Sequence, residues 1–148
     1  MVNSVGRHLE EAAYLAGLID GDGSIYIRLK DRRGCKTKQV LIVVAVIQKS
    51  NKVQFLKNLQ ALWQIGRIRL RKDGMSEWYI QKRSEVKQLL QIVYPFLKLK
   101  KRQALICLKL IEQLLHNDEI DFKEIEKSAK EVAKMNLSKK SKLLQMSP

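Results

Sequence analysis

Between Ser24 and Lys30 polar and apolar residues alternate without a break, Ser24, Tyr26, Arg28 and Lys30 pointing one way and Ile25, Ile27 and Leu29 the other. A period of two predicts a strand with one apolar face and one largely cationic face. The segment before it has a different period. Leu9, Ala12, Ala13, Ala16, Gly17 and Leu18 recur at helical spacing and predict a short helix from about Leu9 to Asp20, rich in small residues. After the strand, Asp31 to Lys38 is a turn region carrying Arg32, Arg33, Gly34 and Lys36. The continuous apolar run Val40 to Ile47 predicts a second strand, and Ser50 reads as the cap of a helix reaching about Trp63.

The pattern then recurs. Ile65 and Gly66 open a strand in which Arg67, Arg69 and Arg71 alternate with Ile68 and Leu70, Lys72-Asp73-Gly74 reverses the chain, and Met75 to Gln81 returns. Alternation leaves open which parity of this fourth strand, with its Trp78 and Ile80, faces inward. A helix from Ser84 has Val86, Leu89, Leu90 and Val93 on its inner side and ends at Pro95. The order α, β, β, α, β, β, α predicts an α+β fold: one twisted four-stranded antiparallel sheet with helices on one face and the arginines on the other. Two more helices follow, Lys100 to His116 with Ala104, Leu105, Leu108, Ile111 and Leu115 inward, and one begun by Asp121 and Glu124 as a variant capping box. Residues 1–136 read as a single domain and 137–148 as a basic tail.

Composition narrows the partner. At 148 residues the chain suits one domain with a real core. Its 29 Lys and Arg against 15 Asp and Glu give a formal charge of +14, which implies a polyanion or an acidic membrane surface, with nucleic acid first. No run approaches the roughly 18 apolar residues of a spanning helix, and the first residues lack an apolar signal core, so a soluble chain without membrane association is expected. Cys35 and Cys107 lack the spacing of a zinc site or disulfide framework and read as reduced thiols.

Two features carry candidate chemistry. Ala13 and Gly17, and likewise Ala12 and Ala16, sit one helical turn apart and would let another backbone come close. Burial within the chain's own domain and dimerisation both fit that spacing. Asp20 and Asp22 flank Gly21 at the end of the helix, where the peptide dipoles already concentrate negative charge. A polar turn accounts for them, as does a hard divalent cation held by carboxylate, carbonyl and phosphate oxygens. A calcium loop starting at Asp20 fails, because Ile25 occupies the place of its sharp-turn glycine and Asp31 that of its final glutamate.

The stretch LAGLIDGDG, Leu15 to Gly23, differs at one position from the nonapeptide that names the LAGLIDADG homing endonucleases. Ile47-Gln48-Lys49 and the run from Pro95 to Lys101 match as well, so the chain resembles that family over roughly residues 9–136. With one copy of the motif it is similar to the homodimeric branch typified by algal chloroplast enzymes. That resemblance implies a site-specific double-strand DNA endonuclease of the intron-encoded kind, cutting a long pseudo-palindromic site by metal-dependent phosphodiester hydrolysis. It implies that Ala13, Ala16, Gly17 and Asp20 lie where two nonapeptide helices pack, with Asp20 a structural acid. Asp22 and the Gly21 carbonyl would hold Mg²⁺, with Mn²⁺ or Ca²⁺ able to take the same place. Gln48 would order the attacking water, Lys100 would stabilise the charged transition state, and Lys52 falls at a second basic position where the family often has arginine.

For the DNA-binding face the expectation is Ser24, Tyr26, Arg28, Lys30, Arg32, Arg33, Lys38 and Gln39 on the first hairpin. Arg67, Arg69 and Arg71 serve on the second, since a two-stranded ribbon fits the major groove. Ser138, Lys139, Lys140 and Lys142 match a basic tail that touches phosphates. One departure from the family stands out: Val40 to Ile47 is apolar at both parities. Val43, Ala45 or Ile47 could meet thymine methyls but make no bidentate hydrogen bonds, so fewer direct base contacts and more reliance on DNA shape are expected from this strand. An RNA-binding maturase or a DNA-binding protein that no longer cleaves is the alternative, while a ribosomal or RNA-chaperone role explains the charge but not the acids. The implied compartment is an organelle, with a prokaryotic cytoplasm also open.

Overall fold

The computed structural model describes residues 4–116 and 121–145, with side-chain surroundings for 6–116 and 121–136. Its first helix, α1 (Ser4–Asp22), runs longer than the spacing of small residues predicts at both ends and passes directly into β1 (Gly23–Asp31). Gly23 makes that junction possible, since a Cβ there would stand 2.8 Å from the Cα and 2.9 Å from the carbonyl oxygen of Ile19. β2 (Lys38–Lys49) pairs antiparallel with β1, Ile25 opposite Val44 and Tyr26 opposite Val43. A 3₁₀ turn (Ser50–Lys52) leads into α2 (Val53–Trp63). Ser50 therefore does not cap this helix: the residue preceding α2 is Lys52, and no side chain caps the end. The first-turn donors of α2 follow a tight turn in place of a hydroxyl acceptor.

β3 (Arg67–Leu70) and β4 (Met75–Ile80) form the second hairpin, and α3 (Arg83–Val93) buries Val86, Leu89, Leu90 and Val93 as their spacing predicts. The entry to β3 is held from three sides. Gly66 has φ +74, and a Cβ on it would meet Ile80 Cγ1 at 2.7 Å and Trp78 Nε1 at 2.8 Å. Its N–H donates to Glu85 Oε1 at 3.1 Å and its carbonyl accepts from Gln60 Nε2 at 2.9 Å, which ties β3 to α2 and α3.

The sheet order is β1-β2-β4-β3, so β2 and β4 are central and β1 and β3 form the edges. Ile25, Ile42, Val44, Val46, Trp78 and Ile80 face the helices and form one core with Leu15, Ile19, Leu56 and Leu89. The open parity of β4 is thereby settled: Trp78 and Ile80 point inward, and the indole N–H of Trp78 donates to the carbonyl of Ile65 at 2.9 Å. Glu77 and Tyr79 take the outer face.

α4 (Lys101–His116) corrects the expected helical phase. Ala104 and Ile111 are buried as expected, but their companions are Gln103, Cys107 and Leu110, while Leu105 and Leu115 are exposed. Leucines stand on more than one side of this helix, and packing against α3 and α5 chooses the stripe that carries the small Ala104 and Cys107. α5 (Phe122–Gln145) starts at Asp121, whose Oδ1 accepts the Lys123 N–H at 3.0 Å. It runs against β1, where Asn136 Nδ2 donates to the Ile25 carbonyl at 3.1 Å, and continues through 137–145, the start of the segment read as a tail. The side chains of Ser138, Lys139, Lys140 and Lys142 lie outside the described residues. No described helix is long and apolar enough to cross a membrane.

Candidate functional site

The two acids of the nonapeptide part company because residues two apart on a helix point roughly 200° away from each other. Asp20 turns inward. Its Oδ2 accepts the Lys98 N–H at 2.8 Å and its Oδ1 the Lys100 N–H at 3.0 Å, while Lys100 Nζ donates to the Asp20 carbonyl at 2.8 Å. The positive complement that a carboxylate needs at a helix C-terminus is thus provided by the chain itself, from the segment joining α3 to α4. Lys100 is held with only 7% of its surface exposed.

Asp22 turns outward. It is exposed, and its Oδ2 accepts Gln48 Nε2 at 2.8 Å. Gln48 is near the end of β2, where its backbone carbonyl accepts the buried Ser76 hydroxyl at 3.1 Å. One amide of Gln48 is thereby anchored to the sheet while the other orients the carboxylate. Lys52 lies exposed in the 3₁₀ turn that follows. An exposed carboxylate beside carbonyl oxygens at a helix end offers hard oxygen donors of the sort that Mg²⁺ or Ca²⁺ takes. Among the described residues no three His, Cys, Asp or Glu side chains gather.

Along α1 the small residues divide between two sides. Ala12 and Ala16 are buried in the chain's own core with Leu15 and Ile19, whereas Ala13, Gly17 and Gly21 are exposed beside the exposed Tyr14. A Cβ at Gly17 would meet nothing within 4 Å. Ala16 and Asp20 spend their contacts within the chain, and the small residues left exposed along this helix are Ala13 and Gly17.

On the outer face of the sheet, register places Ser24, Ala45, Tyr79 and Arg67 in one row across all four strands. Tyr26 lies across from Val43, Arg28 from Leu41 and Lys30 from Gln39. Val43, Ala45 and Tyr79 form a small buried cluster with Tyr26 and Leu41 packed on it. Neighbouring side chains cover Val43 and Ala45, which leaves both with little surface to offer a thymine methyl. Burial, and next the adjoining Tyr79, to which it is hydrogen-bonded, push the Tyr26 phenol up to about 12. Arg67 and Arg69 of β3 and Arg71 just beyond it are not equivalent. Arg67 Cζ lies 5.2 Å and Arg69 Cζ 4.5 Å from the Tyr79 ring centroid, whereas Arg71 is engaged by Asp73 at 2.7 Å and Glu77 at 3.2 Å.

The family model described as LAGLIDADG endonuclease matches residues 15–111. This chain belongs to the LAGLIDADG endonuclease family. DNA endonuclease I-CreI of Chlamydomonas reinhardtii is 38% identical over 102 residues, which make up 68% of this chain and 62% of that protein. DNA endonuclease I-CvuI of Chlorella vulgaris is 33% identical over 69% of this chain and 64% of its own. The chain thus spans less than two thirds of the length of these curated relatives. The crystal structure of I-CvuI bound to its target in the presence of calcium has a TM-score of 0.77 and 28% identity, covering 88% of this chain and 83% of the other. I-TnaI, at 22% identity and a TM-score of 0.69, shares the fold.

Within this LAGLIDADG fold the structure brings Asp22, Gln48 and Lys100 to the end of α1 and spreads Ser24, Tyr26, Arg28, Lys30, Gln39, Arg67 and Arg69 over one sheet face. Arg32, Arg33 and Lys38 stand exposed at the tip of the first hairpin, Lys38 paired with Asp31 at 3.9 Å. Sequence reasoning missed Tyr79 and Glu77, which share the arginine face. Their signal was present in the alternation of β4, once Trp78 is recognised as too large and too apolar for the outer side.

Proposed function

We propose that this chain is a site-specific double-strand DNA endonuclease that acts as a homodimer on a long pseudo-palindromic site. The observation that carries the reading is the solitary, outward-facing Asp22, held by Gln48 at the end of a helix whose exposed flank is lined by Ala13 and Gly17. A lone carboxylate makes a poor metal site, and two copies meeting along that flank would place a second one beside it. Phosphate oxygens of the duplex would complete the donor set. Asp22 and the Gly21 carbonyl are the groups we assign to the ion.

When bound, Mg²⁺ supplies Lewis acidity at the scissile phosphate and makes a nearby water more acidic. The chain's own residues do the rest. Gln48 fixes the orientation of the Asp22 carboxylate and presents an amide to water, and Lys100, anchored on Asp20, provides positive charge beneath the reacting phosphate. Lys52 is a further candidate for neutralising a backbone phosphate. The outer sheet face, cationic at Arg28, Lys30, Arg67 and Arg69, lies against the groove. Ser24, Arg32, Arg33, Lys38 and Gln39 extend that contact along the first hairpin. Crystal structures of I-CvuI with target DNA were obtained in the presence of calcium and of magnesium, which supports a divalent ion here. The algal sources of two relatives support an organelle as the compartment.

Retention of both Asp22 and Gln48 in hydrogen-bond contact favours cleavage over an RNA-binding maturase or a binding protein without activity. Incubation with a randomised duplex library and Mg²⁺, followed by sequencing of cut ends, tests this reading. A recurrent cut sequence with approximate two-fold symmetry is expected, and an uncut library that still binds the protein overturns it.

A further inference from the structure

Two arginines alternate along β3 and a third, Arg71, follows it directly, yet their surroundings divide them. Arg67 and Arg69 both lie over one ring: their guanidinium carbons are 5.2 and 4.5 Å from the centroid of Tyr79. Tyr79 is only 5% exposed on the outer face of the sheet, seated on Val43 and Ala45 and backed by Tyr26. Its ring cannot turn aside, so the two guanidiniums have a fixed floor. Arg71 has no such floor. Asp73 and Glu77 contact it at 2.7 and 3.2 Å, two carboxylates on one cation.

This difference bears on what each side chain can still do. A guanidinium lying on a ring uses its π face and keeps its in-plane N–H donors for a second partner. Those donors form a fork that matches two acceptors side by side, and in the major groove only guanine presents such a pair, O6 with N7. A guanidinium with two carboxylates on its terminal nitrogens has fewer donors left for a second partner, and its charge is locally offset. Ordering a long side chain before binding also removes entropy that association would otherwise cost. Resting on the DNA-binding reading above, we propose that Tyr79 is a positioning residue that presets Arg67 and Arg69 to read guanine, while Arg71, without that ring, braces the second hairpin. Lys72 and Gly74 complete the turn that Arg71 steadies, its N–H donating to the Met75 carbonyl at 2.8 Å.

Two measurements on the full chain test this. In the free protein, NMR of the arginine Hε signals is expected to show Arg67 and Arg69 shifted upfield by the Tyr79 ring and returned toward ordinary values in Tyr79→Leu, with Arg71 unshifted throughout. Absence of the upfield shifts overturns the presetting, whatever the protein binds. Next, wild type and variants are equilibrated with a randomised duplex library in Ca²⁺, and bound sequences are counted. Arg67→Ala and Arg69→Ala locate the positions concerned. Tyr79→Leu is expected to weaken guanine preference there about tenfold, with the salt dependence of total duplex binding unchanged, whereas Tyr79→Phe and Arg71→Ala keep the preference. A Tyr79→Leu profile that retains guanine, or an Arg71→Ala profile that loses it, overturns the assignment. A wild-type chain that binds duplex with no base preference at all overturns the DNA reading itself and the guanine assignment with it.

Discussion

Gln48 Nε2 donates to Asp22 Oδ2 at 2.8 Å across 26 residues of sequence, joining the end of a strand to the end of a helix. The bond sets the carboxylate's direction without neutralising it. Asp22→Asn should retain duplex affinity within about threefold and lower cleavage at least about 10³-fold, because it removes the ion's anionic ligand at nearly constant shape. Gln48→Ala should cost about 10²-fold. Cleavage of a plasmid carrying the selected site, with binding measured in Ca²⁺, checks both, and unchanged nicking by Asp22→Asn removes that residue from the metal site.

Asp20 answers to a different measurement. Its two oxygens accept two backbone N–H groups, so Asp20→Asn turns one acceptor into a donor facing a donor. A buried N–H left without a partner costs about 1–3 kcal/mol. Urea unfolding should show that loss for Asp20→Asn and almost none for Asp22→Asn. Equal stability of the two variants would contradict the division of labour between them.

Gly17 should separate folding from assembly. Since a Cβ at this position meets nothing within 4 Å, Gly17→Leu fits the single subunit. It places a bulky side chain on the flank where a second helix would pack. Sedimentation should give a wild-type dimer and a Gly17→Leu monomer with unaltered far-ultraviolet circular dichroism, and a variant dimer of full mass would displace the interface from this flank.

The two cysteines differ enough to report on unfolding. Cys35 is exposed, whereas Cys107 is buried in α4 and burial pushes its thiol up from near 9 to about 12. Iodoacetamide should label Cys35 within minutes and Cys107 only on unfolding. A raised folded value means that the native state holds its proton where the unfolded chain has released it. Stability from this group is therefore intact below about pH 9 and declines as pH rises toward 12. Urea midpoints for the wild type and Cys107→Ala across that range should converge as pH rises.

Local periodicity announced most of the fold. Alternation at Ser24 to Lys30 and at Arg67 to Arg71 assigned both faces of the edge strands, and the spacing of Val86, Leu89, Leu90 and Val93 assigned the buried side of α3. What stayed hidden depends on partners distant in the chain. Asp20 is satisfied by N–H groups 78 and 80 residues away, and no local pattern separates it from Asp22. β2 looked two-sided because its outer face is covered by Tyr26 and Tyr79, one from each neighbouring strand. In α4, Leu105 and Leu115 competed with Cys107 and Leu110 for the inner side, and only the shape of α3 and α5 decides between them. Asp22, Gln48 and Lys100 were legible through a nine-residue motif and two short matches, while Tyr79 carried no motif.

The tyrosine roof over Val43 and Ala45 has an evolutionary corollary. A substitution at either position is felt first as a misfit beneath the phenols. On the DNA-binding reading proposed above, change in target choice is thereby pushed outward to the edge strands, whose outer side chains are less enclosed, and the middle of the sheet is left as inherited masonry.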